Sequence, residues 1–205
     1  MRSTLAPVPP LPEVTVPLNR FIPPGTRHYF NGSPDRPYRR RRFDFNGHPQ
    51  FMPLVRAFLD TCAARRDGDY RYLFTLLGSE LATNAIRHSR SGGPGGVFTL
   101  LAERSAAGIT LTCRDGGRAD TGRWDARARS YLSPRPGALS PDTECGRGLA
   151  LVERLASEWG DNGVPDYRQV WFFLAYDLAG SAWRTARPAP RTSSASPESS
   201  ASASA

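Results

Sequence analysis

The chain has 205 residues, of which 39% are hydrophobic, and a formal net charge of +8. All 27 basic residues are arginine. The absence of lysine excludes a P-loop and a eukaryotic-type kinase, because both need a lysine on the phosphates. The positive charge is spread along the chain apart from Arg39–Arg42, whereas nucleic-acid binders usually concentrate it on one face. We therefore expect no direct binding to nucleic acid.

The cysteines and the apolar segments indicate the cellular compartment of the protein. Cys62, Cys113 and Cys145 have no metal-like spacing, and an odd number of cysteines without a CxxC motif favours reduced thiols in a cytosolic protein. The first residues lack the apolar core of a signal peptide. No segment approaches the ~20 apolar residues of a membrane helix. We expect a cytoplasmic protein that does not associate with a membrane.

Composition divides the chain into three regions. Residues 1–38 are rich in proline and glycine, and residues 180–205 are rich in alanine, serine and proline. Segments of this composition bury too little apolar surface to order themselves, so both are predicted to be disordered tails. Residues 39–179 are predicted to form one folded domain.

The periodicity of apolar residues predicts the elements of this domain. In chain order they are a strand at 40–45, a helix from about 51 to 62, a helix at about 70–89, a hairpin of strands 97–103 and 109–115, a helix at about 149–159, and a strand at 170–176. This order indicates an α+β two-layer sandwich, with a mixed or antiparallel sheet and three main helices on one face.

The connection at residues 116–147 has no convincing periodic element. Connections in compact domains are typically ~4–6 residues long, and much longer ones tend to be functional lids or disordered. The functional interpretation is a lid between an adenine site and a phosphate site.

Two polar residues interrupt the apolar stripe of the second helix. Glu80 and Asn84 are four residues apart and therefore lie on one face. Burial without partners would cost several kcal/mol, and a cavity that holds a metal and a polar ligand would supply those partners. A structural cap or an internal hydrogen bond is the alternative. The position of the pair shortly before the glycine-rich segment 92–96 favours a functional role.

An aspartate ends the second strand of the hairpin. Ile109, Leu111, Cys113 and Asp115 alternate along that strand, which places the Asp115 carboxylate at the rim of the core. Gly117 and the glycine before it permit a ligand to approach the backbone closely. This arrangement suits the amino group of adenine, and a simple Asp-Gly turn is the alternative.

Two glycines directly precede the third helix. Gly146 and Gly148 leave backbone N–H groups at the start of the helix, and such groups bind anions such as phosphate. Arg147 would add positive charge. On the second helix, Arg87 would face the same phosphates, whereas His88 is predicted to pack in the core.

Together these motifs resemble those of a known family. Glu80–Asn84 resembles the N box of the GHKL ATPases, Asp115–Ala119 resembles their DxGxG box, and Gly146–Leu149 resembles their later glycine box. The phrases Glu-Leu-x-Thr-Asn-Ala-x-x-His and Gly-Leu-x-Leu-Val-Glu-x-Leu-Ala, and the ending Val-Trp-Phe, are similar to the branch of bacterial anti-sigma-factor serine/threonine kinases. Residues 39–179 therefore resemble a histidine-kinase-like ATPase domain with the Bergerat fold.

The resemblance implies a role for each matched residue. These roles are general base for Glu80, Mg²⁺ ligand for Asn84, acceptor from the adenine amino group for Asp115, lining of the base pocket for Gly117, and contact with the bound nucleotide for Arg87, Gly146, Arg147, Gly148 and Leu149. Ala119 departs from the pattern because the family has a glycine at that position. Its methyl group would alter the hinge of the lid or weaken nucleotide binding.

The implied function is an ATP- and Mg²⁺-dependent protein serine/threonine kinase. Its expected substrate is an anti-sigma-factor antagonist, its second partner a sigma factor, and a homodimer is compatible with the resemblance. A catalytically weak or inactive nucleotide- and protein-binding module, which sequesters a transcription-regulatory partner, is the alternative. The detached ATPase domain of a sensor histidine kinase ranks lower, because no upstream pair of dimerising helices carries a phospho-acceptor histidine.

Overall fold

A computed structural model describes residues 17–32, 37–118, 129–139 and 146–183. Its sheet has five strands, namely β1 (Arg40–Asn46), β2 (Val97–Arg104), β3 (Gly108–Arg114), β4 (Glu158–Asp161) and β5 (Gln169–Ala175). Their spatial order is β1-β2-β3-β5-β4, and all neighbouring pairs are antiparallel. The last strand of the sequence is therefore inserted between β3 and β4.

Within the described residues, three α-helices form the second layer. They are α1 (Met52–Cys62), α2 (Gly68–His88) and α3 (Arg147–Leu155), and α2 packs against both of the others. Asp67 caps the start of α2, since its carboxylate accepts a hydrogen bond of 2.9 Å from the N–H of Tyr70. The predicted α+β two-layer architecture is confirmed.

The core lies between the helices and one face of the sheet. Alternate residues of the central strands are buried, as expected for a sheet that is covered on one side. The strand and helix residues that meet there include Phe98, Leu100, Ile109, Leu111, Phe172, Leu174, Phe58, Leu73, Phe74 and Leu77. Their removal from water is the main favourable contribution to folding.

The third helix is shorter than predicted. It ends at Leu155, and Ala156 already has extended backbone angles (φ −73°, ψ 157°). Glu158–Asp161 forms β4, which pairs with β5 and begins where the predicted helix was to end. The prediction missed this strand because a four-residue strand is too short to show a period of two.

Part of the predicted N-terminal tail is folded. Residues 17–32 contain two short 3-10 helices, Leu18–Phe21 and Pro24–Tyr29. The ring of Phe30 lies 4.9 Å from that of Phe43 and 6.0 Å from that of Phe58, measured between centroids. The aromatic residues of this segment, which precedes the boundary predicted at residue 38, therefore pack on the core despite the proline and glycine around them.

Residues beyond the boundary predicted at residue 179 also pack on the domain. Ser181 is buried, and its hydroxyl donates a hydrogen bond of 2.5 Å to the backbone oxygen of Leu155. The ring of Trp183 lies 5.7 Å from that of Tyr72 on α2. The folded domain thus extends at least to residue 183, and the rest of the predicted tail lies outside the described residues.

The described helices include none that is long and apolar enough to cross a membrane. Cys62 and Cys113 are buried free thiols. Burial raises the pKa of the Cys62 thiol to about 11 and raises that of Cys113 as well. Cys145 lies outside the described part of the chain.

Candidate nucleotide-binding site

The second half of α2 carries Glu80 and Asn84 on the side that faces the start of α3. Both side chains are half-buried. Neither of them makes a hydrogen bond to another group among the residues that the structure describes. A half-buried carboxylate and amide that make no hydrogen bond within the described residues can accept one from a ligand, whereas the structural alternative required a cap or an internal hydrogen bond.

The start of α3 lies directly against this pair. A methyl group built on Gly148 would lie 2.5 Å from Oε2 of Glu80 and 3.5 Å from Nδ2 of Asn84. Only glycine therefore fits between the helices without displacing Glu80. The N box and the glycine box are more than sixty residues apart in sequence. They meet in space where α2 faces the start of α3.

The first turn of α3 has the features of an anion site. Its N-cap is Gly146, which has a left-handed backbone (φ +86°) and no side chain to satisfy the N–H groups of the first turn. Arg147 is exposed at the first helical position, and Leu149 is half-buried. Backbone N–H groups and a positive side chain at a helix start suit the phosphates of a nucleotide.

The burial and the charges around the Glu80 carboxyl group are compatible with a group that accepts a proton. Burial raises the pKa of the Glu80 carboxyl group, and the positive charges of Arg87 and Arg56 oppose that rise. Both arginines are exposed at the surface. His88, predicted to pack in the core, is exposed instead and is the last residue of α2.

Asp115 stands one residue beyond β3. Oδ1 of its carboxylate accepts a hydrogen bond of 2.7 Å from the N–H of Gly117, as in the Asp-Gly turn that the sequence suggested as the alternative. A carboxylate has about four lone-pair positions, so it retains the capacity to accept from a ligand. The turn and a binding role are therefore compatible.

Gly117 could not be replaced by a larger residue without strain. Its φ is +73°, and an added methyl group would collide with the backbone oxygen atoms of Asp166 and Pro165. The glycine turn after Asp115 is thus packed tightly against the loop before β5. Ala119, the departure from the family pattern, lies outside the described residues, as does most of the predicted lid.

Sequence analysis missed the residues that hold this turn. Arg90 donates from Nε to the backbone oxygen of Gly116 and from a terminal nitrogen to that of Asp166, both at 2.7 Å. Its backbone N–H also donates to Gly117 at 2.8 Å. The hydroxyl of Ser91 accepts from the N–H of Gly116 at 2.9 Å. Both residues lie between the predicted second helix and the glycine-rich segment 92–96, where the sequence gave no signal of these contacts.

The structure thus separates the predicted residues into two groups. Glu80, Asn84 and Gly148 lie in contact where α2 meets α3, with Gly146 and Arg147 beside them. Asp115 and Gly117 lie at the end of β3, on the same helix-facing side of the sheet. The thiol of Cys113 connects the two regions, since it lies 3.8 Å from the backbone oxygen of Leu81 on α2.

Comparison with known families agrees with this geometry. The fold and the arrangement of motifs are those of an ATP-binding α+β domain. The model of the histidine kinase-like ATPase domain matches residues 46–172, from the end of β1 into β5. The chain belongs to this family, and its folded part is a GHKL-type ATP-binding domain. The curated proteins include no match to the sequence.

Proposed function

We propose that this protein is an ATP-dependent serine/threonine protein kinase of the anti-sigma-factor type. The observation that carries the proposal is the contact of Gly148 with Glu80 and Asn84. This contact brings a carboxylate, an amide ligand and the N-terminus of a helix together at one place. A general base, a metal ligand and a phosphate cradle are the three elements that transfer of a phosphoryl group requires.

The N-terminus of α3 would hold the phosphates of ATP. Arg147 adds positive charge there, and Asn84 would hold Mg²⁺ through its amide oxygen. The described residues contain no group of three or more His, Cys, Asp or Glu side chains that could form a complete metal cage. This agrees with Mg²⁺, which is usually bound by one or two protein groups together with substrate phosphates. When bound, Mg²⁺ neutralises charge on those phosphates.

Glu80 would act on the hydroxyl group of the protein substrate. Its carboxylate accepts the hydroxyl proton as the oxygen forms a bond to the γ-phosphorus of ATP. The bond between that phosphorus and the oxygen bridging to the β-phosphate breaks, and ADP leaves with the electron pair. The raised pKa of Glu80 brings its basicity closer to working pH, where general bases are most effective.

The partner is proposed from the family branch and from charge. The motif phrases that resemble anti-sigma-factor kinases favour an anti-sigma-factor antagonist as substrate, with a sigma factor as a second partner. Arg56 and Arg87 are exposed, and both positive charges act on the Glu80 carboxyl group. A serine or threonine within an acidic segment would therefore be attracted to the surface around Glu80, mainly through a faster association rate.

The test is phosphoryl transfer by Glu80→Gln, which keeps the shape of the side chain and removes its basicity. We expect transfer to fall by about 10²–10⁴-fold, with Mg-ATP affinity nearly unchanged. The control is Glu103→Gln, an exposed residue that pairs with Arg40 on β1 at 2.9 Å and lies away from α3. Equal losses of transfer and of ATP binding in Glu80→Gln would show that Glu80 supports the structure of the site and is not its base.

A binding module without catalysis is the second candidate. It is favoured by Ala119, which replaces the last glycine of the lid motif. In that case the wild-type domain binds Mg-ATP and its partner but transfers no phosphate to it. Mass spectrometry of the partner after incubation with Mg-ATP distinguishes the two candidates directly, since only the kinase adds a phosphoryl group.

A further inference from the structure

Three neighbouring strands bring charged residues to the same end of the sheet. Asp115 follows β3, Arg168 precedes β5, and Asp161 ends β4. The N–H of Asp115 donates to the backbone oxygen of Arg168 at 2.9 Å. Because β5 lies between β3 and β4, Arg168 lies between the two aspartates. By strand alternation all three face the helical layer, as Cys113 and Val170 do.

The side chain of Arg168 is almost completely buried. Its guanidinium lies 3.4 Å from Oδ1 of Asp161, and the two side chains are 10% and 2% exposed. Asp161 also accepts from the N–H of Leu132 at 2.7 Å and from that of Gly163 at 2.6 Å. These bonds satisfy a carboxylate that would otherwise be costly to bury.

The bond from Leu132 belongs to a wider contact with the long connection 116–147. Within that connection, residues 129–139 are described. The N–H of Ser130 donates to Gly163 at 2.8 Å, and the guanidinium of Arg129 donates to Asn162 at 3.3 Å. Asp161 is thus the buried anchor of segment 129–139, and Arg168 is the positive partner of that anchor.

We propose that Arg168 is a positioning residue that couples the base-binding carboxylate of Asp115 to the anchor of segment 129–139. Its guanidinium binds Asp161 on one side. On the other side its backbone oxygen accepts from the N–H of Asp115, and its positive charge favours the ionised form of that carboxyl group. Recognition of the nucleotide base and docking of the segment then depend on one another. This inference rests on the proposed role of Asp115 as the acceptor from adenine.

The charges around Asp115 agree with this arrangement. Burial raises the pKa of its carboxyl group, while the N–H of Gly117 and the charge and N–H of Arg168 lower it. The titratable group of β3 that acts on Asp115 is the Cys113 thiol. This thiol stays neutral because its own pKa is raised. From the turn after α2, Arg90 directs its guanidinium to backbone oxygen atoms.

Loss of the Arg168 charge must therefore raise the pKa of Asp115 further. An ionised Asp115 is the better acceptor from the adenine amino group. Protonation at acid pH weakens nucleotide binding, and in Arg168→Gln this weakening begins at a higher pH than in the wild type. If Arg168 had only a structural role, Arg168→Gln would reduce the affinity for Mg-ATP without moving the pH midpoint of binding.

The experiment is calorimetric titration of Mg-ATP from acid to alkaline pH with the full chain. We expect Arg168→Gln to bind Mg-ATP on the order of tenfold more weakly at neutral pH, as in measured couplings between sites. We also expect its loss of Mg-ATP binding at acid pH to begin at a higher pH than in the wild type. Arg168→Lys should restore the wild-type midpoint. The matched control is Arg114→Gln, which removes the same charge beside Asp115 from an exposed residue. Inorganic tripolyphosphate, which lacks the base, should bind equally to all variants.

The coupling is measured by tryptic cleavage of the bond between Arg129 and Ser130. Mg-ATP should protect this bond in the wild type and fail to do so in Arg168→Gln and Asp161→Asn. An unshifted pH midpoint in Arg168→Gln, or equal losses for ATP and tripolyphosphate, would overturn the coupling. Absence of Mg-ATP binding by the folded wild type would instead overturn the proposed function itself, so the two failures are distinct.

Discussion

Replacement of Gly148 by alanine tests the contact on which the proposed mechanism depends. The new methyl group would lie 2.5 Å from Oε2 of Glu80 and 3.4 Å from its Cβ. Carbon and oxygen atoms prefer a separation of about 3.5 Å, so Oε2 must move by about 1 Å. Because Oε2 is the end of a flexible side chain, the backbone can stay in place.

The effects of Gly148→Ala on stability should partly cancel. Overpacking of a close contact costs roughly 1–3 kcal/mol, while alanine is favoured over glycine inside a helix by about 1 kcal/mol. No opposing effect offsets the loss of catalysis, since moving a catalytic group by about 1 Å can lower the rate on the order of 10²-fold. We therefore expect Gly148→Ala to remain folded and to lose about 10²-fold in phosphoryl transfer.

Single-turnover transfer and thermal unfolding together provide the assay. The matched control is Gly68→Ala, another glycine in the first turn of a helix, where a methyl group would meet nothing within 4 Å. The double variant Glu80→Ala/Gly148→Ala should be more stable than Glu80→Ala alone by about 1 kcal/mol, because only the helix propensity remains. Wild-type activity in a folded Gly148→Ala would refute the view that α3 fixes the position of Glu80.

Two further predictions concern the folded unit. Phe30→Ala should lower the free energy of unfolding by roughly 1–3 kcal/mol, measured by urea denaturation, because it removes ring contacts with Phe43 and Phe58; no change would mean that residues 17–32 do not stabilise the domain. Cys62 should resist alkylation in the native protein, since burial raises its pKa to about 11, and peptide mapping against urea-unfolded protein measures this. Because the pKa is raised in the folded state, the contribution of Cys62 to stability is full below pH 9 and is lost as the pH rises towards about 11. Equal labelling rates in the two states would contradict its burial.

Most of the fold follows from periodicity, because long amphipathic segments such as α1 and the β2–β3 hairpin have an unambiguous period. The packing of residues 17–32 could not be predicted, because it depends on a few aromatic side chains that find their partners far along the chain. β4 was missed for a different reason. Its four residues form a strand only because β5 offers an edge to pair with, and that is a tertiary effect.

The site shows the same division between local and tertiary information. Glu80 and Asn84 were visible as polar residues in an apolar stripe, and Asp115 as a carboxylate at a strand end. Arg168 carried a signal that was overlooked, since it continues the inward alternation of Val170, Phe172 and Leu174. Arg90 carried none, because its role is to hold two loops whose closeness only the folded chain reveals.

The position of β5 also determines the order in which the chain can fold during synthesis. β3 has β5 as its neighbour on one side, and β4 has only β5, so the sheet stays incomplete until residue 175 has been made. Until then β3 exposes an unpaired edge, and such edges recruit strands from other molecules. Chains interrupted before β5 should therefore aggregate during translation, whereas chains that reach the end of the strand can close their own sheet.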